Sequence, residues 1–294
     1  MNKNNVEEEK LFCEEITSDF GYFLKNTIIY EDFYSFHQHI QILNSPTFGN
    51  ILRLDSIFQC SENDEFFYHE PLVHMAMLSH PNPKRVLVVG GGDGGAVEEV
   101  LKHPHVQLLD HVEIDIEVIR LSIQYLESIN KATMVKPDSR YRLIIADALQ
   151  YLSQVNIKYD VIILDLTDPG VISNALYSSH FYRLCCNALT DDGVMSLHLA
   201  APWLQTANCL KCIEKLHPFF KNTSPFLVNV PILGGQWLMA LCTKMSSTLD
   251  ERTTLFNDEY QARFEDLTKK GLKLLTPEYL LSLRELPLYL KQLF

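Results

Sequence analysis

The sequence predicts an α/β protein in which a small antiparallel β unit precedes a larger parallel sheet covered by helices on both faces. Three observations carry this. From residue 85 onward short apolar runs alternate with amphipathic stretches. The first of those runs ends in a cluster of glycines. The residues before about 80 are instead short β-leaning segments broken by turn signals.

In the N-terminal unit those segments are Tyr22 to Tyr30, His39 to Leu43, Asn50 to Leu54 and Ser56 to Gln59, punctuated by Asn44-Ser45-Pro46 and Phe48-Gly49-Asn50. Glu65 to Leu78 has helical spacing and stops at His80-Pro81-Asn82-Pro83. The expected division is therefore 1–80 and 81–294. In the second unit the strands are Arg85 to Val89, Leu108 to Val112, Tyr141 to Ile145, Tyr159 to Leu164 and Val194 to Leu199. Helical stretches follow each of them, to Leu101, over Val118 to Leu126, to about Val155, over Ser178 to Leu189 and over Thr206 to Leu216. Phe226 to Pro231 and Gln236 to Cys242, joined around Gly234-Gly235, read as a closing hairpin. The tail from Ser246 has mixed polarity and helical spacing, with Pro277 and Pro287 as breakers.

Composition narrows the function classes. A chain of 294 residues, 47% hydrophobic and 21% charged, can build a proper core. The net charge of −12 argues against nucleic acid, which needs a basic face, and is compatible with a cationic substrate. No basic, apolar leader opens the sequence and no run approaches a membrane span, so a cytoplasmic protein is expected. The seven cysteines show no framework spacing and are expected to be reduced. Cys209 and Cys212 form a CxxC inside a helical run. A structural role is the simpler reading, with redox or zinc roles as the alternatives. The HxH pairs His37/His39 and His103/His105 lack cysteine or carboxylate company at ligand spacing, so no metal is expected.

Gly90-Gly91-Gly92-Asp93-Gly94-Gly95 lies between a strand and a helix, and Gly90, Gly92 and Gly95 satisfy GxGxxG. Such a loop turns tightly and lets a ligand approach backbone at a helix N-terminus. Glu113, 23 residues after Gly90 at the end of the next strand, can take both hydroxyls of a ribose. These two features fit NAD as well as an adenosyl compound. Asp93 partly separates the two. A carboxylate in the loop repels a pyrophosphate, and equally the α-carboxylate of S-adenosylmethionine, but attracts a free ammonium. Its alternative role is to cap the following helix.

Ligands of open α/β sheets sit beyond the carboxyl ends of the strands. Asp93, Glu113, Asp147, Asp165 and Asp168 all fall near that edge, an acidic mouth that concentrates cations. Asp165 and Asp168 share one loop, Asp165-Leu-Thr-Asp168-Pro169. A primary amine with a pKa of about 10.4 is unprotonated in roughly one molecule in 2,500 at neutral pH, a cost of about 4.6 kcal/mol. One carboxylate can hold the ammonium while the other takes its proton. Two aspartates making local turns is the competing reading.

The residues now on view resemble those of the spermidine synthase family of polyamine aminopropyltransferases. The likeness lies in His80-Pro-Asn-Pro, Val86-Leu-Val-Val-Gly-Gly-Gly-Asp-Gly-Gly95, Glu99-Val-Leu-Lys-His103-Pro, Val112-Glu-Ile-Asp115, Ala146-Asp-Ala148 and Asp160-Val-Ile-Ile-Leu-Asp-Leu-Thr-Asp-Pro169. Upstream, Thr47-Phe-Gly-Asn50, Gln59-Cys60 and Asp64-Glu-Phe-Phe-Tyr-His-Glu70 follow in the family's order, so that residues 36–245 are covered.

The resemblance implies a methyltransferase-like Rossmann domain behind a small N-terminal antiparallel β domain, assembled as a dimer or tetramer. It implies transfer of the aminopropyl group of decarboxylated S-adenosylmethionine, a co-substrate, to putrescine or a similar amine. Methylthioadenosine is released without a metal or prosthetic group. It implies that Gln38 and Glu113 contact the nucleoside, that Asp147 reads the adenine amino group with Ala148 beside it, and that Gly90, Gly91, Gly92 and Gly94 form the loop. Asp93 would hold the aminopropyl ammonium, Asp165 would accept the proton, and Asp168, Tyr68 and His69 would place the amines. Three positions depart from the pattern. Val171-Ile172 replaces Gly-Pro, Ile232-Leu233-Gly234-Gly235 lacks a usual tyrosine, and Glu98 stands where arginine is usual. The first two leave the acceptor open among putrescine, agmatine, cadaverine and longer polyamines. A methyltransferase on the same fold, or a binding protein without activity, are the competing classes.

Overall fold

The computed structural model describes residues 11–131, 133–136, 138–168, 173–245 and 258–293. Val171 and Ile172 lie outside the described residues, as does the start of the tail from Ser246.

Six strands come first: β1 (Phe12–Thr17), β2 (Phe20–Leu24), β3 (Ile28–Tyr34), β4 (His39–Ser45), β5 (Gly49–Leu54) and β6 (Ile57–Ser61). The segment expected as one strand over Tyr22 to Tyr30 is two, belonging to different sheets. β2 pairs with β1, and β3 pairs with β4 in a four-stranded antiparallel sheet β3-β4-β5-β6. The break falls at Asn26, whose φ of 53° lies in the left-handed region that asparagine tolerates better than most residues. The strand β1 was not expected from the sequence.

Helix α1 (Phe66–Ser79) follows and is buried from Tyr68 to Ser79. A helix apolar on every side must be enclosed, and α1 packs against the large sheet and its first helix. That sheet contains β7 (Arg85–Gly90), β8 (Leu108–Glu113), β9 (Tyr141–Ile145), β10 (Tyr159–Asp165), β11 (Leu189–Ala200), β12 (Asn222–Val230) and β13 (Gly235–Thr243), in the order β12-β13-β11-β10-β7-β8-β9. β7 to β11 are mutually parallel, and β13 runs antiparallel to both β11 and β12. The expected parallel sheet and closing hairpin are both present. The intervening helices are α2 (Gly95–Leu101), α3 (Ile116–Tyr125), α4 (Glu127–Asn130), α5 (Ala148–Gln154), α6 (Ser179–Ala188) and α7 (Thr206–Leu216).

Alternation along the central strands divides the core. Val86, Val88, Val161 and Ile163 face α1 and α2, whereas Leu87, Val89, Ile162 and Leu164 face α5, α6 and α7. A third cluster packs the four-stranded sheet on α3 and α4, with Ile40, Ile42, Leu52 and Leu54 against Val118, Leu121 and Ile129. Strand order reverses between β7 and β10, which places a crevice where their carboxyl ends diverge. Residues Cys209 and Cys212 are buried and unbridged in α7, the structural placement. Glu98 pairs with Lys102 at 3.0 Å and Lys131 at 2.7 Å. His103 lies 3.0 Å from His74 in a buried cluster with Glu99.

Candidate active site

The crevice is a pocket lined by Gln38, Tyr68, His69, Gly90, Gly91, Gly92, Asp93, Glu113, Asp147, Ala148, Asp165 and Asp168. Of the glycine-loop residues singled out in the sequence, Gly94 and Gly95 do not line it. Gly95 opens α2, and Gly94 precedes it as the cap, with a φ of 84°, turned toward Asn130 and Met134.

Each side chain is delivered by a strand end or a helix start. In the β7–β10 pairing Asp165 stands opposite Gly90, so β10 sets its carboxylate against the glycine loop. A Cβ on Gly91 would come within 2.6 Å of Asp165 Oδ2, and only glycine allows that approach. The first turn of α1 brings Tyr68 and His69. The His69 ring rests on Gly95, where a Cβ would meet it at 2.3 Å. Glu113 ends β8 and accepts the Asp115 N–H at 2.8 Å. Asp147 starts α5 and accepts the Gln150 N–H at 2.8 Å, which fixes its carboxylate at the rim. Gln38, from the β3–β4 turn, donates to Asp115 Oδ2 at 3.0 Å and so ties the N-terminal sheet to this edge.

The electrostatics are those of crowded, buried acids. Asp93 accepts the Gly95 N–H at 2.7 Å and lies 3.3 Å from His69 Nε2. It is not the cap residue, which is Gly94, but it satisfies the first N–H of α2 from within the pocket. Burial opposes its ionisation, but the charge and hydrogen bond of His69 outweigh burial and hold Asp93 below the usual carboxylate range. His69 is conversely held well above its ordinary value. Burial works against this, and Asp93, Glu65 and Asp165 overcome it. Asp165 is raised to about 6, by burial first and then by the charge of Asp93. Burial raises Glu113 to about 7. Among the described residues, His69, Asp93 and Asp165 also bring a nitrogen and two carboxylate oxygens within 4.8 Å of one another. His69, held above its ordinary value, is the cationic group that these two carboxylates face.

The far end of the pocket contains residues the sequence did not single out. His198, at the carboxyl end of β11, lies 2.8 Å from Tyr68 Oη, 3.0 Å from Tyr177 Oη and 3.5 Å from Asp168 Oδ1. Trp237 stands edge-on to it at 5.9 Å and donates to the Leu233 carbonyl at 3.0 Å. Leu233, at one of the positions that departs from the family pattern, lines the pocket. Tyr22 donates to the Ile232 carbonyl at 2.8 Å, which brings the β1–β2 hairpin over this end. There Glu14 is raised to about 7 by burial, against a hydrogen bond from Phe58, and further by the charge of Asp168. A histidine inside an otherwise apolar strand end was the one available signal for His198.

Fold and pocket together define the class: Rossmann-type α/β proteins that take a ligand at the carboxyl edge of the sheet. The family described as Spermine/spermidine synthase domain matches residues 65–252, and the Spermidine synthase tetramerisation domain matches residues 12–62. The polyamine aminopropyltransferase of Nitrosomonas europaea is 35% identical over 264 residues, 90% of this chain and 78% of that protein. The enzyme of that name from a Thermoanaerobacter species is 34% identical over 276 residues, 92% of each chain. A crystal structure of spermidine synthase in complex with the transition-state analogue AdoDATO superposes with a TM-score of 0.88 at 31% identity, covering 97% of this chain and 95% of that one. The spermidine synthase of Thermotoga maritima superposes with a TM-score of 0.85 at 30% identity, covering 97% and 94%. This chain belongs to the spermine/spermidine synthase family.

Proposed function

We propose that this protein transfers the aminopropyl group of decarboxylated S-adenosylmethionine to putrescine or a related amine and releases methylthioadenosine. The observation that carries the reading is the gathering of Asp93, Glu113, Asp147, Asp165 and Asp168, from the ends of four strands, in one pocket beside the glycine loop.

Glu113 takes the ribose hydroxyls, with Gln38 beside the nucleoside and Asp147 and Ala148 at the adenine. Asp93, held ionised by His69, takes the free ammonium of the donor and disfavours the carboxylated form. The amine nitrogen attacks the methylene next to the sulfonium. The lone pair that attacks is freed beforehand, when the acceptor ammonium gives a proton to Asp165. As the carbon–nitrogen bond forms, the carbon–sulfur bond breaks toward sulfur, which leaves as a neutral thioether. With Asp165 near 6, taking a proton from an ammonium of about 10.4 is uphill by about 6 kcal/mol, against about 9 kcal/mol for an ordinary aspartate. Asp168 and Tyr68 place the acceptor. No metal or prosthetic group enters these steps.

The division of labour runs near residue 80. Residues 1–80 assemble the oligomer and roof the pocket, residues 81–294 carry the chemistry, and α1 bridges the two through Tyr68 and His69. A homodimer or homotetramer forms through the N-terminal sheet, whose edge strand β3 and following turn expose Ile28, Tyr34 and Phe36. A cytoplasmic location accords with seven free thiols. Among the described residues no helix is long and apolar enough to cross a membrane.

The test is product analysis. Purified protein with decarboxylated S-adenosylmethionine and a panel of diamines and polyamines yields methylthioadenosine. Well-folded protein that gives none with any amine refutes the reading. Calorimetry with the carboxylated and decarboxylated donors separates it from methyl transfer, which requires the carboxylated donor to bind more tightly.

A further inference from the structure

We propose that His198 is a positioning residue that turns the Tyr68 hydroxyl away from Asp165, leaving that carboxylate basic enough to take the proton of the amine. The inference rests on the aminopropyl-transfer reading above.

The argument is one of hydrogen-bond direction. His198 is buried between two phenols. Its Nε2 faces acceptors: Asp168 Oδ1 at 3.5 Å and, at 3.0 Å, the oxygen of Tyr177, whose own proton goes to the Thr167 carbonyl at 3.1 Å. Nε2 therefore carries the ring proton. A neutral imidazole protonated there has its lone pair on Nδ1, and Nδ1 lies 2.8 Å from Tyr68 Oη. Tyr68 thus donates to His198. A phenol has one proton, so Tyr68 cannot also donate to Asp165, although its hydroxyl faces that carboxylate. In agreement, Asp165 Oδ2 is buried without a hydrogen-bond partner among the described residues. A carboxylate deprived of a donor is the stronger base.

Protonating His198 reverses the chain. Nδ1–H then donates to the Tyr68 oxygen, the Tyr68 proton swings to Asp165, and the base weakens. Every element packed on the ring contributes. α1 supplies Tyr68, β10 supplies Asp165, the loop after it supplies Asp168, and the helical turn Ser173–Tyr177 supplies Tyr177. β13 supplies the uncharged Trp237, and Glu14 from β1 stands behind Asp168.

Steady-state kinetics across pH test this with wild type, His198→Gln, Tyr68→Phe and the double variant. Glutamine keeps an amide where Nε2 was and removes the acceptor that Tyr68 uses. The expected result is a kcat about tenfold lower, an acid limb moved down by about one pH unit and an amine KM changed less than about threefold. In the Tyr68→Phe background His198→Gln has no further effect. An unchanged kcat and acid limb, a loss confined to KM, or an equal loss without the Tyr68 hydroxyl overturns the proposal. Nitrogen NMR on the wild-type protein needs no variant to fold. It is expected to find the His198 proton on Nε2 at neutral pH, and a proton on Nδ1 alone overturns the inference. Wild-type protein without turnover on any amine removes the functional reading and this inference together. Turnover with the wrong tautomer removes only the inference.

Discussion

The two ends of the pocket are built differently. The end we propose for the donor is made from residues close in sequence to three strand tips: Asp93 after β7, Glu113 at the end of β8 and Asp147 after β9. Backbone N–H groups of Gly95, Asp115 and Gln150 anchor all three. The end we propose for the acceptor is assembled from distant pieces: Tyr68 on α1, Asp168 after β10, His198 on β11, and Leu233 and Trp237 around the β12–β13 turn. Its links run mainly from side chain to side chain, from Tyr68 through His198 to Tyr177, with backbone carbonyls taking only the Trp237 and Tyr177 protons. An end fixed by backbone suits a constant ligand, and an end fixed by side chains can change with the ligand. The comparison therefore expects reaction and donor to be shared with relatives, and the amine to be the variable.

The largest break comes where the ends meet. Asp165→Asn lowers turnover by about a thousandfold in a stopped assay of methylthioadenosine, while the donor still binds by calorimetry. Turnover equal to wild type removes Asp165 from the mechanism. At the donor end, Asp93→Asn loses the repulsion of a carboxylated donor. The preference for the decarboxylated form then falls by about ten- to a hundredfold in competition binding. At the acceptor end, Leu233→Ala enlarges the cavity. It is expected to improve kcat/KM for a longer polyamine relative to putrescine by about three- to tenfold and to leave donor affinity within about twofold. A shifted donor affinity with an unchanged amine ranking would merge the two ends.

The pH effects are smaller. With Asp165 raised to about 6, kcat/KM falls as pH drops through that value and is level above it. Glu113, raised to about 7 on folding, makes the folded state hold its proton more tightly than the unfolded chain. Its contribution to stability is thus fully present at low pH and is lost as pH rises through about 7. Glu113→Gln is expected to stabilise the ligand-free protein by about 2 kcal/mol in urea at pH 8, to give no gain at pH 4, and to weaken donor binding.

The same contrast explains what the sequence made legible. β7 to β10 and their helices follow from apolar runs and caps, and the donor carboxylates from their place at strand ends. Asp115, Asp147 and Ser178 cap the helices that follow them. Local rules reach that far. The β1–β2 hairpin is short and half-exposed, so alternation scarcely marks it, and a single left-handed asparagine moves the chain from one sheet to another. Glu14, Tyr177, His198 and Trp237 belong to no spacing pattern. They are neighbours only because β11, β13 and the hairpin converge on α1, a fact of topology rather than of local sequence.

The enclosure of α1 has a consequence for how such a protein can diversify. Tyr68 and His69 ride on a helix with no free face, so their amide protons exchange with solvent only when the whole molecule opens. Machinery locked this deeply cannot drift by small adjustments. Divergence in substrate choice is confined to the surfaces that close over the helix from outside.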